Sequence, residues 1–188
     1  MSEAADNLDK RLEQYRNYLN VLAKLQIDPR LYGKIDVSGV VQQTLLEAYQ
    51  ALGKSHLPSV NQQAGWLRRI LINNLADEMR KLTTEKRSVG REVPLDAVTG
   101  SSSRIQAWQA VDQLSPSQHV QKQEDALKLA EALAKLPEAQ REALVLQHWH
   151  GWSLTQIAQH LRRSPAAVAG LLKRGLKELR FQLQDNRE

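Results

Sequence analysis

Ser153–Arg180, SLTQIAQHLRRSPAAVAGLLKRGLKELR, is the stretch from which the fold can be read. Leu154, Ile157, Ala158 and Leu161 follow Ser153 at i, i+3, i+4 and i+7, the spacing that puts apolar side chains on one face of a helix. Ser164-Pro165 then restarts the pattern, with a serine suited to cap a helix and a proline suited to its first turn, where the missing N–H is no loss. In the second helix Val168, Leu171, Leu172, Leu176, Leu179 and Leu183 form one stripe, while Lys173, Arg174, Lys177 and Arg180 fall away from it. Two helices joined by so short a turn make a helix-turn-helix.

Charge follows this geometry. Between Arg162 and Arg180, Arg162, Arg163, Lys173, Arg174, Lys177 and Arg180 stand against one acid, Glu178. A helix that buries its leucines shows this basic side to solvent. Duplex DNA, with one negative charge per roughly 1.7 Å of axis, is its natural partner. A merely solvated face is the bland alternative. Trp66–Arg91 is a second basic stretch, seven cations against three acids. Two weak contacts on one chain reinforce each other through effective concentration.

Upstream of the motif, Leu127, Ala130, Leu133, Ala134 and Leu136 predict an amphipathic helix ended by Pro137. A helix over Glu138–Trp149 follows, stopped by Gly151. At the other end of the chain a helix over about Asp9–Leu25 stops at Asp28-Pro29. A second opens after Asp36 or Ser38, either of which suits a cap, and carries Val41, Thr44, Leu45, Ala48 and Leu52 on one face. Gly53–Gly65 reads as a loop. Trp66–Leu82 reads as a third helix, with Arg69, Asn73, Asp77 and Arg80 opposite its apolar stripe. From Thr83 to His119 the periodicity fails amid prolines, glycines and Ser101–Ser103, which predicts a linker. Its Leu95, Ile105, Trp108 and Val111 are apolar enough for part of it to dock. The fold class is therefore all-α: two small helical domains, residues 1–82 and 120–188, joined by a flexible linker over 83–119.

Composition narrows the function. The chain has 188 residues, 26 Lys and Arg against 21 Asp and Glu, and no Cys. Disulfide scaffolds, thiol nucleophiles and Cys-based zinc sites are thus excluded, and a reducing compartment, the cytoplasm, is expected. No stretch approaches the ~20 apolar residues that span a bilayer, so no membrane role is expected. His148 and His150 flank Trp149, but residues two apart on a helix point about 200° from each other and cannot grip one metal. No phosphate-binding glycine loop or nucleophile elbow occurs, so neither enzyme, metal nor cofactor is expected. Trp66, Trp149 and Trp152 read as packing residues.

Three blocks carry a family resemblance: IDVSGVVQQTLLEAYQAL (Ile35–Leu52), WLRRILINNLADEMRK (Trp66–Lys81) and LPEAQREALVLQHWHGWSLTQIAQHLRRSPAAVAGLLKRGLKELR (Leu136–Arg180). The chain resembles the extracytoplasmic-function (ECF) sigma factors, the compact two-domain class of sigma-70-type initiation factors. The phrases LLEAY, LADEMR and SPAAVAGLLKRGLKELR are similar to planctomycete-type members. The resemblance implies an adaptor that binds core RNA polymerase, directs it to promoter DNA and helps open the duplex, without catalysing nucleotide addition. It implies polymerase contacts at Gln42, Gln43, Leu46 and Glu47. It also implies minus-ten contacts at Arg69, Asn73, Asp77 and Arg80 together with the loop Gly53–Gly65. Asn74 matches a familiar family asparagine but falls nearer the core. The helix-turn-helix would bind the minus-thirty-five element through Arg162, Arg163, Ser164, Ala166, Ala169, Gly170, Lys173, Arg174 and Lys177. An anti-sigma protein is a further implied partner.

The chain departs from the family at two places. Gly39 stands where an acid is common and Gln43 where Glu is common, so docking on polymerase is expected to rest on packing. Ala169, Gly170 and Leu171 stand where Lys, Ser and Arg are common, which leaves no bidentate donor on the first two turns of the recognition helix. The expectation is that Ala166, Ala169 and Gly170 allow close approach and touch thymine methyls. Arg162, Arg163, Lys173, Arg174 and Lys177 then hold phosphates, and specificity leans on groove shape. The rival readings are a stand-alone helix-turn-helix regulator and a helical module for an acidic protein partner.

Overall fold

A computed structural model of the protein describes residues 12–52, 60–88, 94–111 and 119–185. Among the described residues all regular structure is helical: α1 (Arg16–Gln26), a 3-10 turn (Pro29–Leu31), α2 (Val37–Leu52), α3 (Val60–Ser88), α4 (Leu95–Val111), α5 (His119–Lys135), α6 (Glu138–His148), α7 (Leu154–His160) and α8 (Pro165–Asp185). They divide into two compact units, with the boundary between Glu124 and Asp125. No helix among the described residues is long and apolar enough to cross a membrane.

In the first unit, α1 gives way to Asp28, whose carboxylate accepts the Arg30 N–H at 3.0 Å and caps the turn that Pro29 begins. Asp36, rather than Ser38, caps α2, its Oδ1 accepting the Gly39 N–H at 2.9 Å. The core takes Leu19, Ala23, Ile27 and Leu31 from the first segment, Val41 and Ala48 from α2, and Leu67, Leu71, Ile72 and Leu75 from α3, all buried. One polar pair crosses it. Buried Thr44 donates to the Val40 carbonyl at 2.8 Å and accepts from Asn74 Nδ2 at 3.2 Å, which ties α2 to α3. Asn74 is thus a hydrogen-bonded member of the bundle.

Helix α3 is longer at both ends than its apolar stripe predicts. It begins at Val60, inside the segment read as a loop, because Gln63 and Ala64 are buried in line with Leu67 and Leu71. Residues 53–59 of that loop lie outside the described residues. At its other end α3 runs on to Ser88.

The linker reading is corrected within residues 95–111, which form α4 and pack on α1, the 3-10 turn and α3. Ala97, Val98, Ser101 and Ile105 are buried, a short stripe hidden in a sequence whose serines suggest a loop. Ser101 is the anchor. Its Oγ accepts the Asp28 N–H at 2.8 Å, donates to the Ala97 carbonyl at 2.8 Å, and receives Arg104 Nη2 at 3.3 Å. Arg104 also donates through Nε to the Gln26 carbonyl at 3.1 Å, a cation at the C-terminal end of α1. Arg30 completes the junction, pairing with both carboxylate oxygens of Asp28 at 2.9 and 3.0 Å and with Asp96 at 2.8 Å. Residues 89–93 and 112–118 of the expected linker lie outside the described residues.

In the second unit Ala130, Leu133 and Leu136 of the α5 segment, Ala143, Leu144 and Leu146 of α6, Ile157 of α7 and Val168 and Leu172 of α8 are buried. Gly175 lets α8 approach α6, for a Cβ there would lie 3.1 Å from Leu144 Cδ1 and 3.2 Å from Gln140 Cβ. Helix α6 ends at Gly151, whose φ of +68° allows the Trp152 N–H to reach the Leu146 carbonyl at 3.0 Å. The packing role expected of Trp149 does not hold: beyond the last turn of α6 it is 49% exposed.

The α4 junction can be probed by stability and by pH. Ser101→Ala leaves the Asp28 N–H without its acceptor, and should cost about 1–3 kcal/mol in urea unfolding. Burial pushes the Asp28 carboxyl up, but the hydrogen bonds and charge of Arg30, with the charge of Arg104, outweigh it and hold the group below its ordinary value. A carboxyl depressed in the folded state stabilises fully above its unfolded pKa, roughly 3.9, and loses that contribution as pH falls through the folded value. The stability advantage of wild type over Asp28→Asn should therefore be constant above about pH 5 and shrink below about pH 4.

Candidate nucleic-acid interface

The turn between α7 and α8 is fixed from both sides. At the start of α7, Ser153 and Gln156 form a reciprocal capping box, Gln156 N–H to Ser153 Oγ at 3.3 Å and Ser153 N–H to Gln156 Oε1 at 2.9 Å. At its end the Arg163 N–H reaches back to the Ala158 carbonyl at 2.9 Å, which requires Arg162 to take a φ of +52°. Ser164 Oγ then accepts the Ala167 N–H at 3.2 Å, and Pro165 starts α8. His160 braces α7 on α6: its Nε2 lies 3.1 Å from Glu142 Oε1, and its ring meets that of Trp152 edge-on at 5.2 Å.

The turn and the helix after it carry exposed basic side chains. Arg162, Arg163, Ser164, Ala166, Ala169, Lys173, Arg174 and Lys177 are exposed, and Gly170 is half-buried. Val168, Leu171 and Leu172 point inward, as the leucine stripe predicts. Among the described residues no ion pair holds any of Arg162, Arg163, Lys173, Arg174 or Lys177; the pairs formed there use other side chains. Five cations over a floor of serine, alanine and glycine can meet a polyanion closely.

In the first unit Arg69, Asn73, Asp77 and Arg80 lie along one side of α3, and all four are exposed. Arg80 and Asp77 pair at 2.8 Å, so the row carries its own counter-ion. On α2, Gln42, Gln43 and Leu46 are exposed and Glu47 is half-buried. Gln43 Nε2 donates to Glu47 Oε1 at 2.7 Å. The two sets are not separate surfaces: Gln43 and Glu47 line the same groove between α2 and α3 as Asn74, Asp77 and Arg80. Gln42, Leu46, Arg69 and Asn73 lie outside that groove. Glu78 and Lys81, counted in the sequence only as charges of the second basic stretch, and Thr84 also line it. Sequence reasoning passed over Tyr49, which is 40% exposed one turn beyond Leu46, itself 50% exposed. The signal for Tyr49 was its i+3 spacing from Leu46 on the outward side of the helix.

The positive φ of Arg162 supplies a test of the turn. A left-handed conformation is costly for any residue with a Cβ, so Arg162→Gly should raise stability by about 0.5–1 kcal/mol. The same variant should bind duplex DNA more weakly, as read by unfolding and by titration in parallel. A loss of stability would mean that the arginine side chain, not the backbone, holds the turn.

Known proteins resemble this chain in part or along most of its length. Residues 126–179 match the family described as "Sigma-70, region 4", a span that holds α6, α7 and most of α8. The chain is 28% identical over 149 residues to the ECF RNA polymerase sigma factor SigL of Mycobacterium tuberculosis, in strains Erdman, CDC 1551 and H37Rv alike, covering 78% of this chain and 73% of the relative. Among solved structures, a chain of the cocrystal structure of the flagellar sigma/anti-sigma complex, Sigma-28/FlgM, aligns over 95% of this chain and 96% of its own at 16% identity, with a TM-score of 0.35. The chain thus carries a match to sigma-70 region 4 in its second unit and is similar along most of its length to an ECF sigma factor.

Proposed function

We propose that this protein is an ECF sigma factor, which directs core RNA polymerase to promoters through two surfaces, one on each unit. The observation that carries the reading is the uncompensated basic face of α7 and α8, which falls within the region 4 match. Helix α8 enters the major groove at the minus-thirty-five element with its N-terminal turns toward the bases, while Arg162, Arg163, Lys173 and Lys177 engage phosphates. Ser164, Ala166, Ala169 and Gly170 keep the approach close enough to touch thymine methyls.

The first unit takes the other tasks. Arg69, Asn73, Asp77 and Arg80 face the minus-ten element. Opening it requires no hydrolysis, since unstacking a base costs a few kcal/mol that a pocket and backbone contacts can offset. Gln42, Gln43, Leu46 and Glu47 contact the polymerase, with Tyr49 extending the apolar part of that patch. Burying Leu46 and Tyr49 supplies affinity that the internally bonded Gln43–Glu47 pair does not. The factor acts as an adaptor without catalysis, in the cytoplasm where the polymerase works, and an anti-sigma protein is its expected restraint. The phrases LLEAY, LADEMR and SPAAVAGLLKRGLKELR support a planctomycete-type member of the class.

Mixing the full-length protein with bacterial core polymerase and a promoter library should yield start-site-specific transcripts. A protein that binds duplex DNA unaided and yields none would be a stand-alone regulator instead. Leu46→Asp should weaken binding to core polymerase at least tenfold, since it places a charge in an apolar contact, while leaving duplex binding unchanged. Lys173→Ala with Lys177→Ala should lower the log–log salt slope of upstream-element binding by about 2, one for each phosphate no longer neutralised. An unchanged slope would reject their phosphate role.

A further inference from the structure

Helix α4 is attached to the first unit at one end, and largely by polar bonds. Among its described side chains only Ala97, Val98, Ser101 and Ile105 are buried, and one of these is a serine. Ser101 and Arg104 make the attachment: both bond to backbone where α1 gives way to the 3-10 turn, Ser101 to the Asp28 N–H and Arg104 to the Gln26 carbonyl. Nearer the start of α4, Asp96 pairs with Arg30. Further along, α4 stands off from α3, and Ser102 and Gln106 share the lining of a cleft of about 360 Å³ with Met79, Thr83 and Thr84. Covalent geometry gives this docking a consequence. With α4 in place, the chain between its end at Val111 and the start of α5 at His119 spans at most about 30 Å. With α4 released, the chain from Ser88 to His119 can reach about 100 Å.

We propose that docked α4 fixes the spacing between the two promoter elements that this protein accepts, with Ser101 and Arg104 as the positioning residues that hold it down. The inference rests on the reading of the two units as binders of the minus-ten and minus-thirty-five elements. Two contacts on one chain reinforce each other only where the tether can span both. Two extra base pairs between the elements move one of them about 7 Å along the duplex axis and turn it about 70° around that axis. A tether shorter than one helical repeat of DNA, about 34 Å, cannot follow such changes far. One of about 100 Å follows them and loses only effective concentration. Ser101 and Arg104 bond to backbone at positions 26 and 28, so removing them leaves every proposed contact side chain in place.

The test uses the full-length protein with core polymerase and a promoter series in which the spacer between the elements is varied one base pair at a time. Wild type should lose about tenfold in transcript two base pairs from its optimum. Ser101→Ala with Arg104→Ala, and separately an insert of about ten Gly and Ser residues between positions 111 and 119, should each cut that loss to about threefold while lowering output at the optimum. The insert leaves the described fold untouched, so it carries the test even where the double variant fails to fold. A second readout needs no transcription. The chain has no cysteine, so Gln50→Cys and Glu131→Cys put one spin label on each unit, and the distance distribution between them should broaden in the double variant. A spacing profile that stays narrow with the insert would place spacing control outside this chain and overturn the inference. A folded double variant that keeps the wild-type profile while the insert broadens it would overturn it too, as would a label distribution as broad in wild type as in that variant. If wild type yields no start-site-specific transcript from any member of the series, the sigma-factor reading itself fails, while the label distances still decide whether α4 is held.

Discussion

The backbone hydrogen bond from Arg163 to the Ala158 carbonyl is the constraint on which the proposed DNA-binding surface depends. It closes α7 and forces Arg162 into the left-handed region, so that Ser164 and Pro165 can begin α8 at once. Without so tight a reversal the cations at 162 and 163 would not share a face with those at 173 and 177. The His160–Glu142 contact and the close approach at Gly175 hold the pair on α6, so that the turn sets direction and the α6 packing sets rigidity. The same backbone that folds the motif also aims its charge.

In the first unit the comparable constraint is the Thr44–Asn74 bond, a polar tie between α2 and α3. It fixes the register of the two helices, and with it the groove in which Gln43 and Glu47 face Asp77 and Arg80. The surfaces proposed for polymerase and for the minus-ten element are thus neighbours on one scaffold, and a shift in the packing of α2 on α3 would disturb both.

The second unit was legible because its signals agree: cap, proline, leucine stripe and excluded cations all point to one motif, and the fold class followed from them. Helix α4 was illegible for the opposite reason. Its anchor is a serine, and serine's local hydrogen-bonding habits make a run of three read as loop; only the packed structure shows Ser101 satisfied by the Asp28 N–H, 73 positions away in the chain. The start of α3 was missed in the same way, since Gln63 is polar yet buried. At the candidate sites, periodicity could say which residues face outward. It could not say that Asp77 neutralises Arg80, nor that Trp149 stands in solvent, because both depend on side-chain placement rather than spacing.

The floor of small residues beneath Arg174 separates two kinds of selection. Val168, Leu171 and Leu172 build the module and tolerate little change, whereas positions 166, 169 and 174 touch no part of that interior. On the proposed reading, exchanging these exposed side chains redirects the protein to other promoters while the buried residues stay as they are. Duplicated copies of such a gene are free to diverge in target choice at almost no thermodynamic expense.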